Sequence, residues 1–254
     1  MKLPSLNLLS STLASSLRLW NGTWGNRPGQ TPALEMELFD REDDGECRLV
    51  REALTELNLD VAIYPCPQNG KRFATRRKKL APKAGPGPLL HDLNSGLVIH
   101  SAARIVPYLF EHYGAQQVPL RLQQGLLNAL LSQLASLARG PFALHAHASK
   151  QPKQMLTLYG FESSPFTRPV RERLCELELP YHLINLGKLE WADMGPAAFR
   201  LVPGPYHPQE GSKRAQFLAQ YGKVQVPFLI DPNFQIEMFE SQEILQYINK
   251  TYAK

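Results

Sequence analysis

Two stretches of this 254-residue chain repeat one another. Cys47–Leu59 (CRLVREALTELNL) lies over Thr167–Leu179 (TRPVRERLCELEL) at an offset of 120 with no gap, and Arg, Val, Arg, Glu, Leu, Glu, Leu and Leu coincide. Glu37–Asp40 lies over Thr157–Gly160 at the same offset. A second block, Pro88–Asn94, lies over Pro227–Asn233 and continues into Ile105–Leu109 over Ile244–Ile248, now at an offset of 139. The second copy therefore carries about 19 extra residues, placed around 189–209. A third match sets Leu6–Arg18 over Leu127–Arg139, so each copy opens on a similar helix. Repetition of this kind restricts the chain to two like units.

Composition narrows the class. Hydrophobic residues make 43% and charged residues 20%, with a net charge of +5, as in globular rather than disordered chains. No run of about 18 apolar residues is present, so no membrane span is expected. Residues 6–18 resemble a weak targeting peptide, but a cleavable segment would not recur mid-chain, and a structural helix is the better reading. The three cysteines, Cys47, Cys66 and Cys175, form no CxxC pair and no secreted disulfide framework. His145 and His147 stand in a lone HAH, and no metal centre is expected. Together these features point to the cytoplasm.

Periodicity orders the elements. In the second copy, 155–159 and 181–185 read as strands around a helix running from about Pro165 to Pro180. A helix over 215–221 follows, then strands at 226–231 and 235–239 joined by Asp-Pro-Asn, then a closing helix. The first copy repeats this order with strands near 35–39, 60–64, 88–92 and 97–100. Residues 118–138 read as an amphipathic helix between the copies. The expected fold class is α/β, with two tandem domains of mixed four-stranded sheets flanked by helices. The boundaries are a leading helix and linker (1–33), domain 1 (34–115), a helical linker (116–153) and domain 2 (154–254). The leading helices are expected to pack the copies together as a pseudo-dimer.

This order is that of the thioredoxin fold. The stretch ESSPFTRPVRERLCELELPY resembles the start of a glutathione transferase N-terminal domain or a glutaredoxin, and VPFLIDPNFQIEMFESQEILQYI resembles the rest. With REALTELNLDVAIYPCPQNGKRF in the first copy, the chain resembles proteins with two tandem domains of this type. The resemblance implies no all-helical transferase domain within the chain. It implies a cis peptide at Val226-Pro227, with the Val226 backbone bonding the cysteinyl part of glutathione. It also implies that Glu240 and Ser241 hold the γ-glutamyl group at a helix start, where free N–H groups favour a carboxylate. Glu240-Ser241 could equally serve only as a helix cap.

The chemical position departs from the family. Ser164 stands where the first cysteine is expected and Thr167 where a second would be, which rules out dithiol exchange there. Ser164 could donate a hydrogen bond to a glutathione thiolate while also capping its helix. Cys175 falls mid-helix, where a small buried residue is expected. The first copy reads Asp44-Gly45-Glu46-Cys47, keeping only the second cysteine, with Gly87-Pro88 for Val-Pro and Ser101-Ala102 for Glu-Ser. It looks like a domain that has lost its glutathione site. Cys47 sits at a helix start, but crowding acids oppose a low thiol pKa. Cys47 and Cys66 are expected as separate thiols, a bridge requiring Cα atoms within about 7 Å.

Lys71, Arg72, Arg76, Arg77, Lys78, Lys79 and Lys83 make a basic run without acidic interruption. With one interleaved aromatic and no nucleic-acid motif, it reads as a solvated, mobile loop. Three functions stay open: a glutathione-dependent transferase or thiol reductase acting through Ser164, Val226, Pro227, Glu240 and Ser241; a scaffold that kept the fold and lost the chemistry; and a thiol redox sensor at Cys47. Glutathione, or another small thiol, is the expected cosubstrate.

Overall fold

A computed structural model describes residues 6–26, 29–123, 125–140, 142–195 and 200–254. Helix α1 (Leu6–Leu17) precedes the first copy. That copy runs β1 (Met36–Asp40), α2 (Gly45–Glu56), β2 (Val61–Pro65), α3 (Ala74–Leu80), β3 (Leu89–Asp92), β4 (Leu97–His100) and α4 (Ala102–Tyr113). Helix α5 (Leu126–Leu137) precedes the second, which runs β5 (Leu156–Gly160), α6 (Thr167–Glu176), β6 (Tyr181–Asn185), α7 (Lys213–Tyr221), β7 (Phe228–Asp231), β8 (Ile236–Phe239) and α8 (Ser241–Tyr252). In each copy the first two strands are parallel and the last two add antiparallel, the mixed arrangement expected from the sequence.

The two expected four-stranded sheets are halves of one. Strands β2 and β6 pair antiparallel, with Ala62 opposite His182, and the full order is β4-β3-β1-β2-β6-β5-β7-β8. Ala62 and His182 are themselves related by the 120-residue offset, so a pseudo-two-fold passes between them. The second offset also has a physical signature. Asp92 accepts hydrogen bonds from the hydroxyls of Tyr108 and Tyr113, and Asp231 from those of Tyr247 and Tyr252, each 139 residues on.

The leading helices cross over. Helix α1 lies on α6 of the second copy, where Ser11 Oγ donates to Pro165 O at 2.9 Å. Helix α5 lies on α2 of the first copy, where Ser132 Oγ donates to Gly45 O at 2.7 Å. Their ends turn back the other way: Arg18 pairs with Glu52 at 2.6 Å and Arg139 with Glu172 at 2.6 Å. Helix α2 is therefore buried almost all round although it carries Arg48, Arg51 and Glu52. Such a helix is tolerated only when each charge is paired. Glu162 meets Arg171 (2.8 Å), Arg51 (2.9 Å) and Arg48 (3.3 Å), while Glu42 meets Arg171 (2.8 Å) and Arg51 (3.3 Å). Burial opposes the Glu162 charge, but the surrounding guanidiniums hold the carboxyl down at about 2.

Two expectations are corrected. The helix placed over 118–138 begins at Leu126; Leu120–Leu122 is only a short 3-10 turn, and Gly125 is extended before the helix starts. The middle of the basic run, Arg76 to Lys79, is helical in α3 rather than a loop, and Lys71, Arg72 and Lys83 flank that helix. Arg76 lies over the Tyr64 ring at 4.4 Å and pairs with Glu37, and Arg77 donates to Gly85 O and Gly87 O. Arg72 donates to Leu177 O and Glu178 O, fastening the first copy to the second. No helix among the described residues is long and apolar enough to cross a membrane.

Candidate functional site

Five residues singled out in the second copy come together. Ser164, Val226, Pro227, Glu240 and Ser241 all line one cavity of about 610 Å³. The Val226-Pro227 peptide is cis, as the resemblance implied. Glu240 immediately precedes α8 with φ 68°, and its carboxylate accepts from Gln225 Nε2. Ser164 caps α6: its Oγ accepts from Thr167 N at 3.2 Å and from Thr167 Oγ1 at 2.9 Å. Both contacts use lone pairs on Ser164 Oγ, leaving its own O–H as a donor.

The cavity has walls that sequence reasoning did not assign. The segment after α1 contributes Trp20, Thr23 and Trp24, and the insertion contributes Met194 and Leu201. Trp24 is carried there by a strand-like bridge to Lys188, with Lys188 N bonded to Thr23 O and Gly25 N bonded to Lys188 O, both at 2.8 Å. Gly25 and Gly187 meet back to back: a Cβ on Gly187 would stand 2.9 Å from the Gly25 Cα. The 121-residue match of the leading helices sets Trp24 over His145, and His145 forms the corresponding bridge with Gln68 in the first copy. That correspondence was the available signal that the linker would dock here.

Lys188 also lines the cavity and is only 8% exposed. Burial, with Arg214 and Arg200 nearby, pulls its amine down to about 8. The nearest acid, Asp193, is fully engaged. It accepts from Leu189 N at 2.8 Å, Glu190 N at 3.3 Å, the Tyr206 hydroxyl and Arg214 Nε. Among the described residues Lys188 Nζ has no hydrogen bond or carboxylate partner; it lies 5.7 Å from the centre of the Phe161 ring. The insertion residues 196–199 lie outside the described residues.

The first copy closes the matching place with its own side chain. Glu46 Oε2 accepts from Ala102 N at 3.1 Å, at the start of α4. Ala102 is the counterpart of Ser241, and Glu46 of Phe166, another cavity-lining residue. Ser101 stands in the place of Glu240 with a similar backbone, φ 74° against 68°.

Cys47 does not join any open site. It is fully buried, and burial with Asp40 and Asp44 nearby raises its thiol well above the ordinary range. A sensor needs an accessible thiolate, and Cys47 offers none. Cys66 is pushed up to about 12 by burial, Cys175 is buried, and all three cysteines are free thiols. No cluster of three or more His, Cys, Asp or Glu suited to a metal exists among the described residues.

The sequence profile of the family "Glutathione S-transferase, N-terminal domain" matches residues 38–117 and again 158–254. The chain belongs to this family, and it carries the domain twice. Searches among curated proteins and among solved structures gave no match.

Proposed function

We propose that the second copy binds glutathione and that the protein is a serine-type, transferase-like glutathione protein. The observation that carries this reading is the convergence of Ser164, Val226, Pro227, Glu240 and Ser241 on one cavity. The cis Val226-Pro227 pair lines the cavity, and the start of α8 offers free N–H groups to a carboxylate. Glu240 supplies the counter-charge for an ammonium. The contact of Glu46 with Ala102 N in the first copy is the same carboxylate-to-helix-start arrangement made internally. Ser164, with its O–H free to donate, would favour the thiolate form of a bound thiol by hydrogen bonding. With no cysteine at Ser164 or Thr167, thiol–disulfide exchange has no protein nucleophile at this site.

Calorimetric titration of reduced glutathione into the wild type and into Glu240→Ala tests the reading. Binding that Glu240→Ala removes supports it. No binding by the wild type overturns it and leaves the chain a scaffold built on a transferase fold.

A further inference from the structure

We infer that the outer face of the two leading helices, α1 and α5, is the interface through which two copies of this chain associate as a dimer. Both helices lie outside the stretches matched by the family profile, 38–117 and 158–254, and the inference stands apart from the glutathione reading.

Both helices are inside out. In α1, Leu6, Leu9 and Leu13 face solvent, and their counterparts at the 121-residue offset, Leu127, Leu130 and Leu134, do so in α5; the six are between 42% and 85% exposed. Leu126 and Leu137 widen the second row, at 94% and 63%. The buried side is serine and alanine: Ser11, Ala14 and Ser15 in one helix, Ser132, Ala135 and Ser136 in the other. At about 3.6 residues per turn the leucines of each helix fall within an arc of about 100°, opposite the buried residues, and that is the stripe a surface helix ordinarily turns to the core. Rolling either helix to bury its leucines would break the hydrogen bonds that seat it. Ser11 Oγ donates to Pro165 O and Ser132 Oγ to Gly45 O, the same contact in both copies, and Ser15 Oγ donates to Ser163 O at 2.7 Å. Arg18 and Arg139, just beyond the helices, are tied to Glu52 and Glu172.

Area, charge and symmetry together point to a second copy as the occupant. Across these leucines, exposed by about two-thirds on average, the apolar face is on the order of 800 Å², larger than the patches monomers usually expose and equal to the share each partner brings to a standard interface. Neither helix contains a charged residue, and the arginines beyond their ends are engaged in buried ion pairs. A helix that lies on a bilayer carries Lys and Arg beside its apolar face, and these do not. Helix α1 packs on α5, and the pseudo-two-fold that relates the copies exchanges their leucine rows. An interface about a two-fold axis must match itself. A face that already repeats about a two-fold sets leucine against leucine when laid on a copy of itself. Each row has the i, i+3, i+7 spacing of a and d positions in packed helices, so the four helices of a dimer can interlock.

Sedimentation equilibrium of the full chain tests this, with Leu9→Glu combined with Leu130→Glu, one exposed leucine in each helix, as the variant. The wild type should sediment as a dimer of the 28.6 kDa chain at micromolar concentration. The double variant should weaken association at least about a hundredfold, since its carboxylates would be buried without partners in the dimer. Its circular dichroism should match the wild type, because both positions face water in the single chain. Leu13→Gln combined with Leu134→Gln repeats the test without added charge, should the first variant fold poorly. The denaturation midpoint of the wild type should also rise with protein concentration, and that of a folded variant should not. A wild type that sediments at the mass of one chain, or a dimer that persists in a folded variant, overturns the proposal. Flotation of single chains with phosphatidylcholine vesicles also overturns it and makes the face a membrane contact.

Discussion

Glu46 caps the helix that begins at Ala102, its carboxylate 3.1 Å from the Ala102 N–H, across 56 residues of chain. The first copy thus fills with a side chain the place that the second copy leaves open at Ser241. Glu46→Ala should lower stability by about 0.5–1 kcal/mol through loss of an anion at a helix start, read as a shift in the denaturant midpoint. It should not create a second glutathione site, because Ser101 stands where Glu240 would be. Calorimetric stoichiometry should remain one per chain; a value of two would contradict the assignment to the second copy.

Lys188 carries a cost that depends on pH. Its amine titrates near 8 in the folded chain against an ordinary value of 10.5. The unfolded chain therefore holds more protons between those values, and stability rises with pH across that window. Lys188→Met should stabilise the protein by about 1–3 kcal/mol at pH 7, the cost of a buried charge without a partner. Its advantage over the wild type should shrink as the pH approaches 10. A difference that stays constant with pH would contradict the burial of an uncompensated amine.

The thiols should be silent in the folded protein. Cys47 and Cys175 are buried and raised well above the ordinary range, and Cys66 is pushed up to about 12. Ellman's reagent at pH 8 should find no rapidly reacting thiol in the native chain and three in guanidinium. One fast thiol lost on Cys47→Ser would restore the sensor reading.

Glu162 is the hub of the ion cluster on the pseudo-two-fold, so Glu162→Gln should cost about 3–5 kcal/mol at neutral pH, as when one member of a buried ion pair is removed. Its carboxyl lies near 2 in the folded state against 4.5 ordinarily. That stabilisation is present above pH 4.5 and is lost as the pH falls through 2. Chemical denaturation of wild type and variant at pH 7 and pH 2.5 should therefore show the gap narrowing in acid.

Much of the fold could be read from the repeat, because each matched block holds an element that packs the same way twice. The paired tyrosines on Asp92 and Asp231 are the same contact found at the 139-residue offset. Val226, Pro227, Glu240 and Ser241 could be picked out because a cis-proline turn and a helix start are local in sequence. The joining of the sheets was not legible. The residues of VAIYP and YHLIN suit a free edge as well as an edge paired with another strand. Lys188 was equally hidden, since its isolation depends on Asp193 being occupied by Tyr206 and Arg214, far along the chain. Trp24 reaches the cavity only because Gly25 and Gly187 allow two backbones to touch.

The crossing of the leading helices sets an order of events during synthesis. Ser11 and the carbonyl it binds are 154 residues apart, and Ala62 of β2 waits 120 residues for His182 of β6. At translation rates of about 5–20 residues per second, that interval is on the order of ten seconds. Throughout it the first half shows an unpaired strand edge and a helix without its partner surface, a state open to association with other chains. The joint that makes the two copies one body is therefore also the last part of it to become safe.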